Sequence, residues 1–334
     1  MPEIRFPSVA VIGAGIAGLS CAQALHQAGF PVTVFDKSRG PSGRLSTRRT
    51  PEWACDHGAP YFEAEDPAFK AQIAHWQQLG IVAPWPMIEL SVSGDGTRIR
   101  EKSRERFVGV PAMTTPAYDI ATHLDLRTES TITGLSRIPA GWTLHTREQG
   151  ALDAVYERVI IAIPPSQAAT VLGAHASPFK QTAESVIMAP CWVLMLAFDQ
   201  APDAPFDALA IETGPLARAF RNSTKPGRNG VETWTLHASP TWSLSHLESS
   251  PQEVAQILLA AFAALGGPQP SSWTTHRWRY AQASQPLKLG YLWDEDARIG
   301  LCGDWLHGGG VQGAWLSGKA LAECVLAARD EIST

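Results

Sequence analysis

Gly13, Gly15 and Gly18, followed by an acid at Asp36, are the residues of this sequence whose types and spacing point most directly to chemistry. In a turn of this kind Gly13 permits a tight bend, Gly15 lets a diphosphate approach the backbone, and Gly18 lets the following helix sit close to a strand. The diphosphate then rests on amides of a helix N-terminus, whose partial positive charge favours an anion. Asp36, at 36 − 18 = 18 positions beyond Gly18, can accept hydrogen bonds from a ribose diol. That is the chemistry of a bound dinucleotide. A second run, Gly308-Gly309-Gly310-Val311-Gln312-Gly313, leaves room for one helix and no closing strand, so it reads as a glycine-rich loop entering a helix. Amides near Val311 would face something electron-rich, such as the pyrimidine edge of a flavin.

Other chemistries find no support. His307 and the glycines after it imitate an esterase oxyanion loop, but no G-x-S-x-G supplies a nucleophile. Cys21, Cys55, Cys191, Cys302 and Cys324 are scattered without a C-x-x-C, and the ten histidines contain no H-E-x-x-H, so neither a disulfide framework nor a metal site is expected. Lys plus Arg is 27 against 32 for Asp plus Glu, a net charge of −5, which disfavours nucleic acid and anionic membrane as bulk partners. No apolar run approaches the ~18 residues of a membrane span, and a reducing cytoplasm is the expected compartment.

The elements that must position these residues follow from periodicity. Residues 9–12 form an apolar run suited to a buried parallel strand; Ile16, Leu19, Ala22 and Leu25 recur along a helix that Gly29 ends; residues 32–35 read as a second strand. Residues 156–165 are a buried strand stopped by Pro164 and Pro165, residues 128–159 alternate as an antiparallel meander does, and residues 186–198 and 232–237 have strand character. Residues 252–265 form an apolar-rich helix ended by Gly266. The expected fold class is α/β, a discontinuous Rossmann-type nucleotide domain (1–69, 105–172 and 292–334) with an inserted, largely antiparallel substrate domain (70–104 and 173–291). Arg98, Arg100, Lys102, Arg104 and Arg106 alternate, so an extended strand would carry all five on one face; the favoured reading is a solvated edge strand rather than a guide for phosphates.

Four blocks carry a resemblance to the flavin amine-oxidase superfamily and, within it, to bacterial renalase-like proteins. They are residues 11–18 with Phe35-Asp36-Lys37-Ser38-Arg39-Gly40; Ser42-Gly43-Arg44-Leu45-Ser46-Thr47-Arg48-Arg49; Asp56-His57-Gly58-Ala59-Pro60-Tyr61-Phe62; and Cys302-Gly303-Asp304-Trp305 with residues 311–318. The resemblance implies non-covalent FAD, held by Gly13, Gly15, Ala17, Gly18, Asp36, Lys37, Gly43, Arg44, Gly58, Ala59, Ile132, Gly303, Asp304, Val311 and Gln312. Ser42 departs from the family pattern, which has glycine there. The implied pocket comprises Tyr61, Asn222, Trp234, His237, Arg277 and Trp278, although Trp234 and Trp278 serve equally well as core packing and His237 as a satisfied core histidine. No catalytic side chain is implied, because flavin N5 accepts the hydride. The implied reaction oxidises 2- and 6-dihydro isomers of NAD(P)H to NAD(P)+, with O2 reoxidising the flavin to hydrogen peroxide. An amine oxidase or desaturase acting on another small donor, a redox-signalling flavin protein without turnover, and a nicotinamide-dependent dehydrogenase are the competing readings.

Overall fold

The structure, a computed structural model, describes residues 6–228 and 230–330. The chain forms two compact units, Met1–Gly43 with Pro116–Ile187 and Ala283–Thr334, and Arg44–Thr115 with Met188–Gln282.

The first unit is built on a six-stranded sheet in the order Leu292–Asp294, Ile299–Leu301, Arg158–Ile161, Val9–Ile12, Val32–Phe35, Asp125–Arg127. All neighbours are parallel except the edge strand Leu292–Asp294. Val9, Ala10, Val11, Ile160 and Ile161 are fully buried, as befits strands covered on both faces. The helices Ile16–Gln27 and Gly310–Asp330 touch closely because Gly318 lacks a side chain; a Cβ there would stand 2.0 Å from the Ala17 carbonyl oxygen. Ser20 Oγ donates to the Trp315 carbonyl at 2.9 Å across the same contact. The expected meander is the antiparallel set Ile132–Ile138, Gly141–Thr146 and Gly150–Tyr156, and the second glycine run leads directly into the C-terminal helix.

The second unit holds a seven-stranded sheet, ordered Ser272–Ala283, Met188–Phe198, Glu232–Ala238, Leu216–Arg221, Ala208–Ile211, Glu89–Val92, Arg98–Arg100. One face buries Leu194, Leu196, Trp234 and Leu236 against Val254, Leu258 and Phe262 of the helix Pro251–Ala264. Ser250 and Glu253 close a reciprocal cap at that helix's start. On the other face Val193 and Met195 meet Cys55 of the hairpin Thr47–Arg49/Ala54–Asp56.

Two expectations need correction. Residues 44–69 and 105–115 group with the second unit rather than the first, and residues 173–187 and 283–291 with the first rather than the second. Arg44 Nη1 donates to the Ala281 carbonyl at 3.0 Å, Cys55 Sγ lies 2.9 Å from Thr235 Oγ1, and Trp278 Nε1 donates to the His57 carbonyl at 2.8 Å. The basic alternation is also not one stripe. Only Arg98–Arg100 is strand, at the exposed sheet edge, whereas Arg106 is buried on Glu89 at 2.6 Å and Glu63 at 3.5 Å. Among the described residues, no helix is long and apolar enough to cross a membrane.

Candidate active site

In the first unit the glycine turn is shaped as its spacing requires. Gly13 has φ +108°, and a Cβ there would lie 2.6 Å from the Ala162 carbonyl oxygen; one at Gly18 would lie 2.0 Å from the Gly13 oxygen. A Cβ at Gly15 meets nothing within 4 Å. Gly15 is therefore not glycine because the protein crowds it, and the open space above it is what an approaching diphosphate needs. The helix it starts has no side-chain cap and no acid in its first turn, leaving its positive end for an anion. Asp36 is fixed by two backbone donors, Ala14 N–H to Oδ2 at 2.7 Å and Ser38 N–H to Oδ1 at 2.8 Å, and each oxygen keeps a lone pair for a ribose hydroxyl. Lys37 is exposed beside it.

The departure Ser42 adopts φ +129°, a conformation at home in glycine, and its N–H donates to the Ala14 carbonyl at 2.9 Å. Gly43 brings the following turn against Gly15, where a Cβ would come 3.2 Å from Gly15 Cα. Gly303 N–H donates to Ser317 Oγ at 2.9 Å. Asp304, 5% exposed, accepts from Gly309 N–H at 2.8 Å through its carbonyl. Gly308, Gly309 and Gly310, all at positive φ, carry the chain to Val311 and Gln312, both half-buried in the first turn of the C-terminal helix. Ile132 is buried at the start of the meander. The uncapped helix, the Gly15 opening and the anchored Asp36 are the donor set of a bound dinucleotide, and FAD fits them.

In the second unit Gly58 and Ala59 fold back on residues 44–46. Ala59 N–H donates to the Arg44 carbonyl at 2.8 Å, and a Cβ on Gly58 would stand 1.9 Å from that oxygen. Asp56, the residue before His57, uses every polar atom it has. Its carboxylate accepts from Thr47 Oγ1 at 2.6 Å, Met113 N–H at 3.2 Å, Lys225 Nζ at 3.0 Å and Arg228 Nη2 at 2.6 Å. Its N–H donates to Asn222 Oδ1 at 3.3 Å, and its carbonyl accepts from Thr235 Oγ1 at 2.7 Å. Burial alone would raise this carboxyl, but Lys225 and Arg228 hold it well below the usual carboxylate range. Buried Lys225 is itself lowered by burial, against the pull of Asp56.

Beyond this brace lies a cluster of three histidines. His57, 5% exposed, stacks on Trp278 with centroids 5.5 Å apart and meets His276 edge-on at 4.7 Å. His237 meets Phe220 at 5.4 Å, and Phe220 meets Tyr61 at 6.0 Å. The Arg106 guanidinium sits 4.8 Å from the Tyr61 ring centre. Burial lowers all three imidazoles: His57 to about 3, with His276 and Arg48 adding to the effect, His237 to about 4, helped by Lys225, and His276 to about 4, helped by Arg48. They are neutral at pH 7. Among the described residues, His57 Nδ1 and His237 Nε2 are buried without a partner.

Of the six pocket residues expected from the sequence, Tyr61, His237 and Trp278 join this cluster. The other three side chains do different work. Trp234, 1% exposed, packs with Phe206 and Phe262 and donates Nε1 to Glu232 at 2.8 Å, because strand alternation turns it to the helix-covered face. Asn222 is spent bracing Asp56 and Thr233, the latter at 3.1 Å. Arg277 points away from Trp278, to the Leu247 carbonyl and to Glu248 at 3.1 Å. His57 and His276 were not singled out from the sequence, although His276 and Trp278, two apart on one strand, had to share a face.

Fold and site together define a dinucleotide-binding protein of the glycine-turn type. A model of flavin-containing amine oxidoreductases matches residues 96–326, and one of NAD(P)-binding Rossmann-like domains matches residues 11–76. The chain belongs to the flavin-containing amine oxidoreductase family, as an FAD-dependent enzyme. Cyclohexylamine oxidase from Brevibacterium oxydans superposes with a TM-score of 0.77 at 15% identity, covering 98% of this chain and 100% of that one. A protoporphyrinogen oxidase-like protein of Exiguobacterium gives 0.75 at 13% identity over 96% and 98%. Putrescine oxidase in complex with putrescine gives 0.70 at 13% identity over 96% and 99%. These identities establish a shared fold. A curated relative, the bifunctional tRNA 5-methylaminomethyl-2-thiouridine biosynthesis protein MnmC of Magnetococcus marinus, is 46% identical over 70 residues, which are 18% of this chain and only 10% of that protein.

Proposed function

We propose that the protein is an oxidase of 2- and 6-dihydro isomers of NAD(P)H, releasing NAD(P)+ and, with O2, hydrogen peroxide, and that it works in the cytoplasm as a renalase-like member of its family. FAD, bound without a covalent link, supplies the hydride acceptor. In the first unit, Gly13, Gly15, Ala17 and Gly18 with Asp36, Lys37 and Gly43 would hold the diphosphate and adenosine, Ile132 would pass the adenine, and Gly303, Asp304, Val311 and Gln312 would hold the ribitol and pyrimidine edge. Arg44, Gly58 and Ala59 are proposed as further cofactor-binding residues.

The observation that carries the reading is the neutral histidine cluster. His57, His237 and His276 are uncharged at pH 7, and the carboxylate beside them, Asp56, is taken up by Lys225 and Arg228. Such a wall offers an alkylammonium no counter-charge, but it offers hydrogen bonds to a neutral ring and its carboxamide. Loss of hydride from a neutral dihydropyridine leaves an aromatic pyridinium and needs no base, so alignment is what the pocket must provide. Trp278 and Tyr61 supply flat faces for such a ring.

The second reading, an amine oxidase, is favoured by the same aromatic side chains and by relatives named for putrescine and cyclohexylamine. Oxygen uptake with peroxide detection separates the two. The expected result is one peroxide per dihydronicotinamide isomer consumed, with ordinary NADH and alkylamines inert; turnover of amines alone would reverse the assignment.

A further inference from the structure

Among the described residues, Arg48 is a cation without a counter-ion. Other inward-facing cations of the second unit have theirs: Arg106 has Glu89, Arg221 has Glu232, and Lys225 and Arg228 share Asp56. Arg48 lies opposite Cys55 in the hairpin register, so its side chain shares the Cys55 face, and its Nη2 reaches His276 Nδ1 at 3.5 Å. Its Nε is buried with no partner, and among the described residues no carboxylate pairs with it. Arg48 is half-buried with its Nε shut off from water, and a guanidinium held so without an anion keeps a fork shaped for a carboxylate or phosphate. The neighbouring His57 Nδ1 is also unpartnered, on a ring 4.7 Å from that of His276.

We propose that Arg48, with the unpartnered His57 Nδ1 and the His276 ring beside it, receives an oxyanion of the electron donor, a phosphate or a carboxylate, and so selects anionic donors over simple alkylamines. The inference rests on the reading of the histidine wall as part of the donor pocket. Arg48 binds the anion as a two-pronged donor and stays protonated, while His276 accepts a hydrogen bond from Arg48 at Nδ1 and presents Nε2–H. Burial, and after it the charge of Arg48, disfavours the protonated form of His57 and His276, and an arriving anion would offset the charge of Arg48.

The test titrates the FAD-loaded enzyme at pH 7 with inorganic phosphate and, separately, acetate, by calorimetry. Millimolar binding of at least one anion is expected, weakened about tenfold or more in Arg48→Met and by a smaller factor in Arg48→Lys, which keeps the charge and loses the fork. Phosphate binding points to a phosphate-bearing donor such as a dinucleotide, acetate binding to a carboxylate-bearing one. Failure of both anions to bind the unaltered enzyme, or undiminished binding by Arg48→Met, overturns the proposal. Should Arg48→Met not fold, the unaltered protein decides: imidazole resonances of His276 must move with saturating anion, and stationary ones refute the site. The outcome is separable from the proposed reaction. Oxidation of dihydronicotinamides with a kcat/KM indifferent to Arg48→Lys and Arg48→Met refutes the anion site alone, whereas anion binding through Arg48 without such oxidation refutes the reaction alone.

Discussion

Acidification from pH 7 to pH 5 should weaken the fold through its buried imidazoles, and His57 gives the magnitude. Its pKa is lowered to about 3 in the folded protein, mainly by burial, against about 6.5 in an unfolded chain. At pH 5 the unfolded chain has therefore taken up a proton that the folded one refuses. The sign is fixed by linkage: a depressed histidine leaves stability intact above about pH 6.5 and removes it progressively as the pH falls towards the folded value. From 6.5 to 5 is about 1.5 units at about 1.4 kcal/mol each, so His57 alone costs about 2 kcal/mol by pH 5. His237 and His276, lowered to about 4, act with the same sign over the same window. The assay is thermal unfolding of the FAD-loaded protein at pH 7 and pH 5, for the unaltered chain and for His57→Gln. At about 2–4 °C per kcal/mol, the unaltered protein should lose roughly 4–8 °C more than the variant. Equal losses in both, or a flat Tm between the two pH values, would refute the buried-neutral account of this cluster.

The remaining predictions concern the cofactor cradle, the brace and the basic edge. Gly15→Ala should leave the Tm of the apoprotein unchanged, because its Cβ meets nothing, and yet lower FAD affinity measured by flavin fluorescence; Gly18→Ala, forced to 2.0 Å from the Gly13 oxygen, should lower the Tm itself. Asp56→Asn strips the carboxylate from buried Lys225 and Arg228 and should cost about 3–5 kcal/mol in denaturant unfolding; a loss below about 1 kcal/mol would mean the brace is dispensable. Charge reversal at exposed Arg100 and Lys102 should leave the salt dependence of kcat/KM for a dinucleotide donor unchanged; a flattened dependence would restore a steering role for that edge.

What could be read from the sequence divides along a physical line. The strand, glycine turn, helix and Asp36 unit was legible because its residues are close in sequence and each has one local job, from the bend at Gly13 to the open approach at Gly15. The histidine cluster was not, since His57, His237 and His276 come from separate elements, and only pairing across the sheet brings them together. Trp234 and His237 show the limit of alternation. The period separates their faces, but both faces of that sheet are covered, and nothing in the strand says which one a helix fills. Residues 44–69 follow the nucleotide motif in the chain, but Arg44 and Cys55 bond to strands more than a hundred residues later, so the boundary between units was invisible to composition. Arg106 likewise continues the basic alternation, and only the position of Glu89 reveals it as a buried partner.

The most direct test is rapid anaerobic mixing of the yellow holoprotein with purified 2- and 6-dihydro isomers of NADH, followed at the flavin absorbance. The account predicts fast, complete bleaching by at least one isomer and none by ordinary NADH, putrescine or cyclohexylamine. Bleaching by the amines with both isomers inert, or a flavin that no donor reduces, would contradict it.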